Sequence, residues 1–138
     1  MSESRAPRKV RTHTLRDFKN EGRAITMLTS YDTFSARIFD EAGIDVLLVG
    51  DSAGNTVLGY DSTVYTKHED IVRFTGAVAR SCERPLVLAD LAFGTYQASV
   101  EDAVRHGVEL MQAGAHAVKL EGGREILPQA DALARAGI

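Results

Sequence analysis

Short apolar runs alternate with longer stretches of helical periodicity along the chain. Four runs predict strands: "AITMLTS" (24–30), "DVLLVG" (45–50), "RPLVLAD" (84–90) and "AHAVKLEGG" (115–123). A helical pattern follows each run, and "TLRDFKNEG" (14–22) predicts a further short helix before the first. This alternation predicts four βα units, a parallel sheet and an α/β fold. Because each run is apolar throughout, we expect strands that are covered on both faces.

Apolar residues spaced three or four positions apart predict the apolar face of each helix. The three faces comprise Phe34, Ile38 and Ala42; Ile71, Phe74 and Val78; and Val100, Val104, Val108 and Met111. In the last helix Pro128 fits only within the first turn, which places the helix start just before it.

Each predicted strand delivers an acidic residue at or just past its C-terminal end. Asp32 follows the first run, Asp51 the second and Asp90 the third, while Glu121 lies two residues after Lys119 in the fourth. In parallel α/β folds these ends lie on one face, where ligands bind. Converged carboxylates repel unless a proton or a cation lies between them, and carboxylate oxygens suit Mg²⁺. The pattern favours a Mg²⁺ site beside a lysine, a receptor for a small keto acid.

A second interpretation of these residues is structural. Asp and Ser directly after a strand are common turn and N-cap residues, so spacing alone leaves both interpretations open. The connection from Asp51 to about His68 is longer than usual for a βα loop and is a candidate functional loop. Phe93 and Tyr96 could line a pocket or simply pack. We interpret the remaining candidates as structural because they lack partners or zinc-site spacing: Cys82, His13, His68, His106 and His116.

Composition restricts the function classes. A chain of 138 residues with 44% hydrophobic content suits one domain, 1–138, with an ordinary core. Its net charge of −3 and the lack of a long apolar run predict no nucleic-acid partner and no membrane span. The single cysteine suits a cytoplasmic location. A basic cluster indicates a disordered arm over residues 1–12: Arg5, Arg8, Lys9 and Arg11.

Three strings carry a specific resemblance: "TMLTSYDTFSARIFDEAGIDVLLVGDSAGNTVLGYDST" (26–63), "LVLADLAFGTYQAS" (86–99) and "GAHAVKLEGG" (114–123). In this order they resemble the ketopantoate hydroxymethyltransferase family, which belongs to the phosphoenolpyruvate/pyruvate group of TIM barrels. The resemblance covers about Arg11 to Ile138. It implies a TIM (β/α)₈ barrel of which only about the first four βα units, an N-terminal half-barrel, are present.

The resemblance also implies an activity. Family members transfer a hydroxymethyl group from 5,10-methylenetetrahydrofolate to 3-methyl-2-oxobutanoate, giving 2-dehydropantoate for pantothenate synthesis. They are Mg²⁺-dependent, cytoplasmic and commonly decameric. By motif, Asp51, Asp90 and Glu121 correspond to the metal residues, and Asp51, Ser52, Asp90 and Lys119 to the keto-acid contacts. The family's catalytic base, a glutamate, is expected beyond Ile138, so no catalytic residue is assigned here.

A half-barrel raises two further expectations. Its first and fourth strands would have open edges with unpaired backbone groups, and the 138-residue chain itself would be inactive. Two alternatives stay open at this point. One is a related carbon–carbon lyase or mutase of the same superfamily, and the other is a non-catalytic half-barrel that binds Mg²⁺ and a keto acid or serves in assembly.

Overall fold

The computed structural model describes residues 8–138, which form four strands and six α-helices. The strands are β1 (Met27–Thr29), β2 (Val46–Val49), β3 (Leu86–Asp90) and β4 (Ala117–Lys119). The helices are α1 (Thr12–Asn20), α2 (Thr33–Glu41), α3 (Ala53–Thr56), α4 (His68–Ala79), α5 (Val100–Ala113) and α6 (Leu127–Arg135). The four predicted strands, the extra first helix and the position of Pro128 in the first turn of α6 are confirmed.

The strands form one parallel sheet in the order β1-β2-β3-β4. In register, Leu48 of β2 pairs with Leu88 of β3, and Asp90 of β3 pairs with Lys119 of β4. All the C-terminal strand ends therefore lie along one edge of the sheet. Within residues 8–138, β1 and β4 have no strand on their outer sides, as a half-barrel predicts.

One face of the sheet is covered along its two central strands, β2 and β3. Alternate strand residues, among them Leu47, Val49 and Val87, are completely buried. They form the main core with apolar residues of the helices: Ala36, Ile71, Val78, Ala103, Leu110 and Leu133. Burial of these aliphatic side chains is the main contribution to stability, at roughly 1.5–3 kcal/mol for each large side chain.

On the opposite face, a small apolar cluster covers the N-terminal ends of the strands. There Val46 and Leu86 are buried beneath Val10, which precedes α1, and Leu15 of α1. The expectation of strands covered on both faces is thus wrong for β1, whose three residues are all exposed. An edge strand lacks a neighbour on one side, so its apolar side chains stay in solvent even though their sequence suits a core.

Two of the predicted helix faces are wrong. In α2 the predicted face is exposed, with Phe34 at 76% and Ile38 at 61%, whereas Ala36 is buried. In α5 the buried residues are Ala103, Gly107 and Leu110, one position away from the predicted set. Gly107 lets α5 approach Leu133 of α6 closely. A pattern of spaced large apolar residues does not detect a glycine of this kind.

The N-terminal ends of the strands are held by a buried carboxylate. Asp45 is 1% exposed and accepts hydrogen bonds from Arg84 Nη2 (2.6 Å), Arg23 Nη2 (3.0 Å) and the Thr26 backbone N–H (3.1 Å). Burial alone would raise the pKa of Asp45, but these bonds lower it below its ordinary value. Asp45 therefore stabilises the edge of the sheet remote from the cleft described below.

The predicted disordered arm is too long. Val10 is 1% exposed, and its N–H donates to the Arg84 carbonyl at 2.8 Å, so the chain is part of the fold before α1 begins. Residues 1–7 of that prediction lie outside the described residues. None of the helices in the described part of the chain has the length and apolar composition that a membrane span requires.

Candidate active site

A cleft of about 110 Å³ lies at the C-terminal ends of the strands. Four of the five residues predicted for the site line it: Asp51, Asp90, Lys119 and Glu121. The other lining residues come from the loops after β2, β3 and β4: Thr63, Val64, Leu91, Phe93, Tyr96 and Leu120. The strand ends thus bring three of the four predicted acids, and the lysine, to one place.

Asp90 is the buried acid of the cleft, at 3% exposure. Its Oδ2 accepts a hydrogen bond from the Asp51 backbone N–H at 3.0 Å. Its Oδ1 lies 2.9 Å from Lys119 Nζ as an ion pair, and no other group in residues 8–138 donates a hydrogen bond to this buried oxygen. Burial raises the pKa of Asp90, even though Lys119 and the Asp51 amide act in the opposite direction.

Lys119 lies between two carboxylates. Its Nζ is 2.9 Å from Asp90 Oδ1 and donates a hydrogen bond to Glu121 Oε1, also at 2.9 Å. Burial alone would lower the pKa of Lys119, but the two carboxylates raise it above its ordinary value. Lys119 is therefore a fixed ammonium at the cleft. Its predicted position on the same face as Glu121 is confirmed.

The three acids do not form a metal cluster. Within residues 8–138, no group of three or more His, Cys, Asp or Glu side chains is arranged to hold a metal ion. Glu121 is 79% exposed at its side chain and is bonded to Lys119, whose ammonium lies between it and Asp90. Asp51, Asp90 and Glu121 thus line the same cleft, but the three carboxylates are not arranged around one position where a metal ion could bind.

Asp51 is held by the long loop after β2. Thr66 Oγ1 donates a hydrogen bond to the Asp51 carbonyl at 2.8 Å. A side chain at Gly54 would collide with the Thr66 hydroxyl, so glycine permits this close approach. In the described part of the chain, the Asp51 carboxylate accepts no hydrogen bond and is available to a ligand. The predicted functional loop does line the cleft, through Thr63 and Val64.

Ser52 and Asp32 lie beside the cleft and do not line it. Ser52 Oγ is 2.7 Å from the hydroxyl of Tyr31, which follows β1. The Asp32 carboxylate accepts hydrogen bonds from the backbone N–H groups of Phe34 (2.7 Å) and Ser35 (2.9 Å), as an N-cap of α2. The structural interpretation is therefore correct for Asp32, and the acid after β1 does not converge with the others.

Sequence reasoning gave too little weight to Tyr31, Thr66 and Tyr96. Tyr31 and Thr66 contact predicted site residues, and Tyr96 lines the cleft together with Phe93. Tyr31 directly follows a predicted strand, so the rule that identified the acids could have included it. The sequence around Thr66 gave no comparable indication, because its hydrogen bond to Asp51 forms only when the loop folds back toward the end of β2.

The residues interpreted as structural remain outside the cleft. Cys82 is buried, and burial raises the pKa of its thiol. His68 and His106 pack at the contact of α4 with α5, where His68 Nε2 lies 2.9 Å from Glu109 Oε2. His116 Nδ1 accepts a hydrogen bond from the Val87 N–H at 2.9 Å. The helix-packing interpretation of His68 and His106 is confirmed.

Comparison with known proteins identifies relatives over the whole described chain. The profile of the family described as ketopantoate hydroxymethyltransferase matches residues 9–138. The 3-methyl-2-oxobutanoate hydroxymethyltransferase of Saccharopolyspora erythraea is 54% identical over 132 residues, which are 95% of this chain and 45% of the relative. That of Leifsonia xyli subsp. xyli is 51% identical over 136 residues, 98% of this chain and 49% of the relative. The chain spans about half the length of the curated relatives it matches.

Solved structures with similar folds are more distant in sequence. Phosphoenolpyruvate phosphomutase from Streptomyces platensis subsp. rosaceus superposes with a TM-score of 0.70 at 18% identity, over 88% of this chain and 48% of that chain. 2,3-Dimethylmalate lyase, a PEP mutase/isocitrate lyase superfamily member, gives 0.65 at 20% identity, over 91% and 49%. Phosphonopyruvate hydrolase in complex with oxalate and Mg²⁺ gives 0.69 at 16% identity, over 88% and 46%. These similarities confirm the TIM-barrel fold class, with four βα units present.

Proposed function

This chain belongs to the ketopantoate hydroxymethyltransferase family, and we propose that it supplies the keto-acid and Mg²⁺ site of a 3-methyl-2-oxobutanoate hydroxymethyltransferase. The whole protein would transfer a hydroxymethyl group from 5,10-methylenetetrahydrofolate to 3-methyl-2-oxobutanoate and yield 2-dehydropantoate. The observation that supports this most directly is the cleft in which the free Asp51 carboxylate, the buried Asp90 and Lys119 meet.

The donor set fits a hard divalent cation held by two of the three predicted acids. Asp90 Oδ1 is a buried oxygen whose one close polar neighbour in residues 8–138 is Lys119 Nζ, at 2.9 Å. The Asp51 carboxylate makes no hydrogen bond or ion pair within the same residues. Mg²⁺ is commonly bound by one or two carboxylates and completes its shell with water and substrate. Asp51 and Asp90 would hold it, and Glu121, on the far side of Lys119, would act through that lysine. A bound Mg²⁺ would supply positive charge beside the keto oxygen, where negative charge develops.

The protein side chains have distinct roles in this proposal. The Lys119 ammonium lines the cleft and would pair with the carboxylate of the keto acid. The Ser52 hydroxyl, held by Tyr31 at 2.7 Å, is a second polar contact at the mouth. Because these groups are fixed before binding, they orient C3 of the substrate at little further entropic cost. We assign removal of the C3 proton to no residue among 8–138.

Calorimetry with Mg²⁺ and 3-methyl-2-oxobutanoate tests the site directly. Asp51→Asn should weaken Mg²⁺-dependent keto-acid binding at least tenfold, since it removes one of two anionic ligands. Asp61→Asn is the matched control, because Asp61 is an exposed aspartate of the same loop that does not line the cleft. Circular dichroism confirms that both variants fold. Equal heats from wild type and Asp51→Asn would contradict the proposed site.

The transfer chemistry requires a separate test on a longer protein that carries this chain. Its partial reaction should be Mg²⁺-dependent deuterium exchange at C3 of 3-methyl-2-oxobutanoate. Cleavage of isocitrate, methylisocitrate or phosphonopyruvate at a higher rate would instead indicate the lyase or mutase alternative. Homo-oligomerisation and a cytoplasmic location stay predictions.

A further inference from the structure

The chain after β4 loses its neighbouring strand at Glu121. The last ladder bond between β3 and β4 runs from the Leu91 N–H to the Lys119 carbonyl at 2.8 Å. Beyond Leu91 the chain turns away, with a Thr95 N–H to Ala92 carbonyl bond at 3.1 Å and a positive φ at Gly94. In the part of the chain described, the N–H and carbonyl of Glu121 consequently have no backbone partner.

The hydroxyl of Tyr96 takes the place of that missing strand. Tyr96 Oη donates to the Glu121 carbonyl at 2.9 Å, and the Glu121 N–H donates to the same oxygen at 3.2 Å. A phenol has one proton to donate and lone pairs to accept, so one hydroxyl satisfies both backbone groups. Tyr96 is 5% exposed, so surrounding residues hold its ring in place beside Glu121.

Tyr96 is itself held from two directions. Gln129 of α6, 7% exposed, donates its Nε2 to the Tyr96 carbonyl at 3.1 Å. Gln97 Oε1 accepts from the Gly94 N–H at 2.8 Å and closes the turn that carries Tyr96. A continuous set of contacts thus runs from α6 through Tyr96 to the backbone of Glu121.

We propose that Tyr96 is a positioning residue for the ammonium of Lys119. The Glu121 side chain is largely exposed, and Lys119 is its one bonded partner within residues 8–138, so its direction depends on its backbone. By fixing that backbone, Tyr96 holds the Glu121 carboxylate 2.9 Å from Lys119 Nζ and keeps the ammonium beside Asp90. This inference rests on the proposed function, in which Lys119 binds the carboxylate of the keto acid.

Tyr96→Phe tests the inference, because it removes the hydroxyl and leaves the ring. The matched control is Tyr65→Phe, since Tyr65 is 60% exposed and its hydroxyl makes no hydrogen bond within residues 8–138. In Tyr96→Phe the Glu121 amide should exchange with solvent at least tenfold faster, measured by NMR. The His116 amide, bound to the Val87 carbonyl, should keep its protection. An unchanged exchange rate at Glu121 would overturn the proposal.

Calorimetry then relates this contact to ligand binding. With Mg²⁺ present, Tyr96→Phe should weaken binding of 3-methyl-2-oxobutanoate about tenfold, whereas Tyr65→Phe binds like wild type. On a Glu121→Ala background, Tyr96→Phe should cost less than about twofold, because Glu121 is the group through which Tyr96 acts. A loss of equal size on both backgrounds would indicate a general structural defect and overturn the positioning role.

Two further outcomes are decisive. If wild type binds no keto acid, the proposed function fails; if wild type binds and Tyr96→Phe binds equally well, this inference alone fails. Should Tyr96→Phe not fold, Gln129→Met replaces it, since it removes the Nε2 bond to Tyr96 and keeps a side chain of similar length. It should change Glu121 exchange and affinity in the same direction by a smaller factor, and no change in either would overturn the inference.

Discussion

Asp90 and Lys119 are paired in register on β3 and β4, and Lys119 Nζ lies 2.9 Å from Asp90 Oδ1. Asp90 is almost completely buried, whereas the Lys119 side chain is 34% exposed. The lysine thus brings a partly hydrated charge to a carboxylate that is almost completely buried at the cleft. This ion pair determines both the stability of the sheet edge and the electrostatics of the cleft.

Lys119→Met should destabilise the fold at pH 7 by about 1–3 kcal/mol, which is less than for a fully buried pair because Lys119 is partly solvated. The loss arises because Asp90 keeps a buried charge without its partner. Folding already raises the pKa of Asp90, so the folded state binds its proton more tightly than the unfolded state does. The loss should therefore shrink as the pH falls and the Asp90 carboxyl becomes neutral. Urea unfolding measured at pH 7 and in acid tests this.

The control for this prediction is the same Lys119→Met substitution made in an Asp90→Asn protein. With a neutral amide at position 90, Lys119→Met should cost less than about 0.5 kcal/mol, since no buried charge is left without a partner. An equal cost on both backgrounds would show that Lys119 stabilises the fold through packing of its aliphatic chain.

Gly54→Ala should displace Asp51. The new methyl group would collide with the Thr66 hydroxyl, and moving that side chain breaks its hydrogen bond to the Asp51 carbonyl. We expect a loss of about 1–3 kcal/mol in unfolding free energy and weaker Mg²⁺ binding.

Thr66→Val provides the comparison, because it removes the same hydrogen bond and adds no clash. It should weaken Mg²⁺ binding by a similar factor with a smaller loss of stability, measured by calorimetry and urea unfolding. Wild-type Mg²⁺ affinity in both variants would show that the loop does not position Asp51.

His116 should make the fold sensitive to acid. Burial, with the nearby charges of Lys9 and Arg11, lowers the pKa of His116 from 6.5 to about 4. Its neutral Nδ1 accepts the Val87 N–H, a bond that protonation abolishes. Because the folded pKa is depressed, this contribution is complete above pH 6.5 and is lost as the pH falls toward 4. The unfolding free energy should decrease by roughly 2–3 kcal/mol over that window.

His116→Gln removes this titration and keeps a side chain that can accept a hydrogen bond. Its unfolding free energy should depend less steeply on pH between 6.5 and 4 than that of wild type. The matched control is His13→Gln, an exposed position on α1 that leaves the Val87 contact in place. If the unfolding free energy of His116→Gln depends on pH as steeply as that of wild type, groups other than His116 cause the acid sensitivity.

The order of elements and the convergence of Asp51, Asp90 and Lys119 could be predicted from the sequence. Both depend on local properties, namely the apolar runs and the residues that follow them, which parallel pairing places along one edge. The buried face of α5 could not be predicted in this way. Two of its buried residues are Ala103 and Gly107, and Gly107 lies against Leu133 of α6. Such small residues indicate a buried face only when the neighbouring helix is known.

The ion pairs and hydrogen bonds of the site residues depend on contacts that the spacing of residues along the chain does not specify. The positions of Lys119 and Glu121 predict a shared face, but they do not predict that the ammonium lies between Glu121 and Asp90. Asp32 and Asp51 both follow strands, yet the former caps α2 and the latter has a free carboxylate. The difference is geometric, because α2 begins directly after Asp32, where its N–H groups meet the side chain.

The open edge at β1 should promote self-association. Ile25, Met27 and Leu28 are 42%, 52% and 42% exposed, and β1 has no strand on its outer side within residues 8–138. Unpaired backbone groups beside apolar side chains form a template for another strand, and a charged residue at such an edge opposes pairing. Leu28→Lys should therefore raise the concentration at which light scattering first detects aggregates.

The matched control is Leu127→Lys, which changes an exposed leucine of α6 away from the edge and should have little effect. An equal gain from both substitutions would attribute association to surface hydrophobicity in general, and no gain from either would show that the β1 edge does not drive it.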